Sequence, residues 1–149
     1  MEVKKILCAV DLEDTIAPSV EYAKMMASMT GASILVAYVI PAHTPYEDVY
    51  LSVNNQQNEV NNPNETIQKS MNALLAEQFA GMDATGVILV GRPSEELVKL
   101  AEEKGANLIV MGTHGRAGFD RLLFGSVAHE VVRAAPCPVM TVRPLMPKK

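Results

Sequence analysis

The sequence is short of the features that mark several functional classes. It has two cysteines, Cys8 and Cys137, each inside an apolar, strand-like run. Two thiols so far apart make neither a disulfide framework nor a metal site, and reduced, cytosolic thiols are the plain reading. The three histidines, His43, His114 and His129, show no metal-ligand spacing. There is no excess of basic charge: Lys and Arg number 13 against 17 acids, for a net charge of -4. That balance leaves no electrostatic footprint for nucleic acid or anionic lipid. No apolar stretch approaches the ~20 residues of a membrane helix. The start, Met1-Glu2-Val3-Lys4-Lys5, leads into a short apolar run that ends at Asp11, which is no signal peptide. A cytoplasmic protein is expected.

What is present is an ordinary globular composition, with 48% apolar residues in a chain of 149. That length fits one domain, residues 1–149, with core enough to fold without a metal. Ile6 to Val10 is a continuous apolar run, as suits a strand buried on both faces of a parallel sheet. Asp14-Thr15 can cap a helix that runs to Thr30 and ends at Gly31. Ser33 to Ile40 reads as a second strand. Residues 41–63, with their prolines and asparagines, break the pattern. They are expected to form a long, mobile excursion with a short helical turn near 47–51, and read equally as a disordered loop or as a lid. Asn64 can cap a helix to Ala80, followed by strand Val87–Val90. Ser94, with Glu95 and Glu96 behind it, reads as the cap of a helix ending at Gly105. Leu108–Met111 is a fourth strand, Ser126–Ala135 a helix stopped by Pro136, and Cys137–Val142 a fifth strand. Alternating buried strands and helices imply an α/β, doubly wound parallel sheet. If the first strand is central, Asp11, Val39-Ile40 and the loop after Met111 share a crevice at the carboxyl ends of the strands.

The segment after the fourth strand carries the chemistry. Gly112-Thr113-His114-Gly115 follows it directly, and Gly125-Ser126 opens the next helix. Glycine permits close backbone approach and positive φ. A helix start offers N–H donors and partial positive charge to an anion. Ser126 can cap that helix or donate to a phosphate, and Arg116 adds a cation. Taken alone, the glycines read equally as a turn and a helix cap.

The spacing Gly112-x2-Gly115-x9-Gly125-Ser126 resembles the ATP-binding signature of the universal stress protein family. The resemblance extends along the chain through Asp11, Leu108–Arg116, Gly125–Ala128, Val131–Arg133 and Pro136–Val139. It implies a Rossmann-like, adenine nucleotide alpha hydrolase-like sheet in the order 3-2-1-4-5. It also implies ATP as ligand and site roles residue by residue. Asp11 would meet the ribose or adenine end, with Ala9 and Val10 along the same wall. Val39 would offer its backbone to the adenine edge. Met111 and Gly112 would flank the sugar and first phosphate, and Gly115 the phosphates; Arg116 at the mouth and His114 between the glycines join them as candidate binding residues, His114 reading first as a structural or hydrogen-bonding residue rather than a base or metal ligand. Gly125, Ser126 and Val127 would hold the phosphate tail. The chain departs from many relatives in Asp11-Leu12-Glu13-Asp14, where a small residue or Ser is usual. Three acids repel a polyphosphate unless they point away or share a divalent cation, which brings in Mg2+. The last strand, if it is an edge, would be covered by pairing with a second copy through 137–142, and the resemblance implies the same homodimer.

These features make an ATP-binding stress or signalling module the leading function. A slow ATPase or phosphotransferase using the same site is the alternative. It lacks a G-x4-G-K-[ST] loop and a placed base, so weak hydrolysis is the most that is expected. A phospho-acceptor receiver would need an Asp after the third strand, where Gly91-Arg92 stands, and a Lys after the fifth, where Arg143 stands. A flavin carrier would want stacking aromatics, and there is no tryptophan.

Overall fold

The computed structural model describes residues 2–12, 17–42, 63–113 and 125–143. The apolar runs become five parallel strands of one sheet: β1 (Lys5–Ala9), β2 (Ser33–Pro41), β3 (Ala84–Gly91), β4 (Leu108–Gly112) and β5 (Val139–Val142). Four helices alternate with them: α1 (Pro18–Thr30), α2 (Pro63–Gln78), α3 (Pro93–Lys104) and α4 (Ser126–Ala134). The sheet order is β3-β2-β1-β4-β5, as expected, so β1 is central and β5 lies at an edge. Leu7 pairs with Leu35 on one side and Ile109 on the other.

Strand alternation divides the core into two layers. Ile6, Cys8, Ile34, Val36 and Val110 face one way, under α1 (Val20, Ala23, Ala27) and α2 (Met71, Leu74). Leu7, Ala37, Val39, Ile109 and Met111 face the other way, under α3 (Leu97, Leu100, Ala101) and α4 (Ala128, Val131). Burial pushes the Cys8 thiol up to about 12, so it behaves as a small apolar group. Both cysteines are free thiols.

Several boundaries differ from those read in the sequence, and proline explains most of them. Helix α1 starts at Pro18 behind Ala17, with no side-chain cap. The expected cap, Asp14-Thr15, lies outside the described residues. Proline suits the first helical position, because it has no N–H to satisfy there. It also bars the residue before it from helical geometry. The same logic opens α2 at Pro63 rather than behind Asn64. It opens α3 at Pro93, with Arg92 at the cap position, so Ser94 is not the cap. Strand β5 begins at Val139, later than Cys137, because Pro136 and Pro138 have no N–H for the ladder. The Pro138 carbonyl still accepts from Ile109 N at 3.0 Å. Strand β3 is longer than its apolar run. It takes in Ala84-Thr85-Gly86, where the α2 side chain Met71 sits so close that a Cβ on Gly86 would lie 2.6 Å from Met71 Cγ. The ends of α1 and α3 are as expected, with Gly31 and Gly105 at φ of 75° and 68°, the left-handed geometry of a C-terminal stop, whereas α2 ends at Gln78, short of Ala80, and α4 at Ala134. The expected excursion at 41–63 and its helical turn fall mostly outside the described residues.

Candidate functional site: the crevice above β1 and β4

The winding of the chain reverses between β1 and β4. The segment after β1 crosses by α1 to β2 on one side, and α3 then carries the chain back to β4 on the other. At such a reversal the loops at the strand ends part, leaving a crevice beyond the carboxyl ends.

Strand β1 ends at Ala9, and Val10 extends its ladder by one bond, donating to Ala37 O at 2.9 Å. Asp11 follows, half-buried at the rim. Because Ala37 turns its carbonyl toward β1, the strand period of two turns the backbone groups of Val39 the same way. Val39 therefore presents its N–H and C=O on the side where β1 has just ended. Its side chain is buried in the α3/α4 layer.

On the other wall, β4 ends at Met111-Gly112, with Met111 buried and Gly112 paired to Val142. Thr113 is a buried polar residue that carries the chain past the strand. Its N–H donates to Val142 O at 3.1 Å, and its carbonyl accepts from Gly125 N at 2.6 Å. That second bond fastens the start of α4 directly to the end of β4. Sequence reading passed over Thr113, and its only signal is a polar residue between two glycines. Gly125 occupies the cap position of α4 with φ -61° and contributes no side chain there. Its φ is ordinary, so left-handed geometry does not call for glycine here. Ser126 is the first helical residue and is exposed, so its hydroxyl is not the helix cap. Val127 packs partly buried against the α3/α4 layer.

The structure thus brings Ala9, Val10, Asp11, Val39, Met111, Gly112, Gly125, Ser126 and Val127 to the same end of the sheet. His114, Gly115 and Arg116 lie outside the described residues. His129, on α4, is exposed.

The universal stress protein family pattern matches residues 2–143. The chain belongs to the universal stress protein family. Among similar family members, universal stress protein MJ0577 of Methanocaldococcus jannaschii is 28% identical over 153 residues, with 94% of each chain covered. Its solved structure superposes with a TM-score of 0.78 at 26% identity, covering 99% of this chain and all of the other. Universal stress protein MJ0531 of the same organism is 33% identical over 150 residues, covering 98% of this chain and 84% of its own. A universal stress protein from Archaeoglobus fulgidus, solved in complex with dAMP, superposes with a TM-score of 0.56 at 25% identity. That match covers 95% of this chain and 98% of that one.

A second polar cluster lies nearby, between α3 and α4. Glu130 accepts hydrogen bonds from Ser94 Oγ and from Arg92 Nη2, the latter at 3.0 Å. The Ser94 hydroxyl, and then the Arg92 guanidinium, hold its carboxyl below the usual carboxylate range. A groove of about 320 Å³ runs beside this cluster, lined by Val98, Lys99, Glu102 and Ala134 among others. Ser94 and Glu130 line the groove too, and none of its lining residues is among the crevice residues named above. No helix among the described residues is long and apolar enough to cross a membrane.

Proposed function

We propose that this universal stress protein binds ATP in the crevice above β1 and β4. On this reading it works as a nucleotide-dependent stress or signalling module rather than as a dedicated catalyst. The observation that carries the reading is the bond from Gly125 N to Thr113 O. It places a helix start without a capping side chain at the end of β4, beside the rim formed by Ala9, Val10 and Asp11. The N–H groups of Ser126 and Val127 and the positive end of the dipole suit a phosphate tail, with Gly125, whose own N–H goes to Thr113 O, beside them. The backbone of Val39 suits the polar edge of adenine, Asp11 the ribose, and Met111-Gly112 the sugar and first phosphate. His114, Gly115 and Arg116 complete the phosphate end. The dAMP held by the Archaeoglobus relative supports an adenine nucleotide as the class of ligand.

Mg2+ belongs to this reading as a companion of the phosphates. It keeps most of its water and needs few protein oxygens. Asp11 is the described carboxylate at this end of β1, and Glu13 and Asp14 follow it in sequence. The whole chain, 1–149, acts as one cytoplasmic domain on this reading. Among the described residues, β5 pairs with β4 alone. Pairing with the same strand of a second copy, through 137–142, would cover it as a homodimer.

Mass spectrometry of small molecules released on denaturing the purified protein tests the ligand. An adenine nucleotide, retained or taken up after incubation with ATP and Mg2+, is the expected result. A flavin, or no nucleotide after that incubation, would overturn the reading.

A further inference from the structure

Helix α4 has only nine residues, and two buried apolar side chains, Ala128 and Val131, press it onto the sheet. Apolar contact is non-directional, so it holds the helix down without fixing how far it slides along its axis. Hydrogen bonds are directional: the one from Gly125 N to Thr113 O ties the helix start to β4, and those accepted by Glu130, one turn further on, tie it to the α3 start that follows β3. The Glu130 carboxylate accepts from the hydroxyl of Ser94, a residue only 4% exposed, and from the guanidinium of Arg92. Glu130 lies four residues after Ser126, so the two share one face of α4, a single turn apart. Arg92 follows Gly91, whose carbonyl accepts from Ala42 N at 3.0 Å just beyond the end of β2. A continuous path therefore runs from the end of β2, through Gly91-Arg92, to Glu130 and up one turn to Ser126. It joins the strand that carries Val39 to the helix start that carries Ser126.

We propose that Arg92, Ser94 and Glu130 form a clamp that sets the height of the α4 start relative to β2, making them positioning residues for the phosphate tail of the nucleotide. The proposal rests on the nucleotide reading of the crevice. N–H donors engage an oxygen well only within about 2.7–3.2 Å, so a helix that slides by an ångström loses the tail while leaving the base end intact. A carboxylate is a poor choice beneath an anion site on charge alone. It sits roughly 6 Å, one helical rise of four residues, below the cradle, where it would repel phosphate. The Arg92 guanidinium, which also reaches Glu95 at 3.5 Å, offsets part of that charge, and the Ser94 hydroxyl fixes the carboxylate in place.

The test compares ATP with AMP by titration calorimetry on the full chain, in wild type and in Ser94→Ala, Arg92→Ala, Glu130→Ala and Glu130→Gln. AMP carries only the phosphate assigned to the Gly112 end, whereas ATP reaches α4. Ser94→Ala and Glu130→Ala are expected to weaken ATP about tenfold and to leave AMP within about twofold. Glu130→Gln keeps an oxygen that accepts from Ser94 and is expected to recover most of the loss. Arg92→Ala changes an exposed side chain, is expected to weaken ATP in the same selective way, and keeps the test intact if Ser94→Ala fails to fold. Equal losses for ATP and AMP, no loss, or tighter ATP in Glu130→Ala would each overturn the clamp. A wild-type chain that binds neither nucleotide would overturn the nucleotide reading and the clamp with it. A wild type that binds ATP, with variants that keep its ATP-to-AMP ratio, would overturn the clamp alone.

Discussion

The two ends of the sheet are built on opposite principles. At the amino ends of the strands, backbone groups are closed off by neighbours. Asn107 Oδ1 accepts from both Lys4 N and Lys5 N, at 2.8 and 2.9 Å. Asn107 N donates back to Lys5 O, Ser33 N to Lys4 O and Ile34 N to Asp83 O. At the carboxyl ends, β1 stops at Ala9 while β2 runs on to Pro41, and α4 begins with a cap residue that has no side chain. Among the described residues, the amino end binds its polar groups to one another, whereas the α4 start at the carboxyl end has no capping side chain. On the proposed function, stability and nucleotide binding should therefore be separable in this chain.

The largest expected effect lies at the closed end. Ile6, fully buried near the start of β1, anchors the α1/α2 layer. Ile6→Ala should cost about 2–5 kcal/mol in urea unfolding through lost burial and the cavity left behind. Asn107→Ala should cost less, about 1–3 kcal/mol, because two backbone N–H groups lose their acceptor. Neither variant should change nucleotide affinity while folded. A selective loss of ATP in either would break the contrast between the two ends.

Titration offers finer tests. The folded Cys8 thiol stays protonated up to about 12, whereas an unfolded thiol ionises near its ordinary value of 9.0. Above that ordinary value the unfolded chain binds fewer protons, so stability should fall as pH rises from there toward 12. A Cys8→Ala variant should show less of this alkaline loss. In native protein at mildly alkaline pH, alkylation should modify the partly buried Cys137 well before Cys8. Glu130 has the opposite sign. Its folded carboxyl sits below the ordinary range, so its contribution is present above that range and is lost as pH falls through the folded value. Acid unfolding followed by circular dichroism should show a smaller pH dependence in Ser94→Ala, since the Ser94 hydroxyl is the main cause of the shift. An unchanged profile would remove Ser94 as that cause.

The fold was largely legible because its strands are short apolar runs between glycines and prolines, and the order of elements leaves few topologies. What escaped were features set by partners far along the chain. The polar start of β3 carries no apolar signal, yet Gly86 is fixed by Met71 above it. Ser94 has the type and place of a cap, but Pro93 has already opened the helix and the hydroxyl turns to Glu130, 36 residues away. The base end and the helix start of the crevice could be placed from strand ends and glycine spacing. The bond from Thr113 to Gly125 and the grip on Glu130 depend on how α4 returns to the sheet, and no local pattern encodes that.

Ser126→Asp tests most directly whether the start of α4 holds phosphate. A carboxylate at the first helical position should leave stability unchanged or raise it by about 0.3–1 kcal/mol through the helix dipole. The same charge should repel a phosphate tail. Calorimetry with ATP and Mg2+ should show saturable binding by wild type and at least about tenfold weaker binding by a folded Ser126→Asp protein. Equal ATP affinity in the two proteins, or none in wild type, would contradict the account.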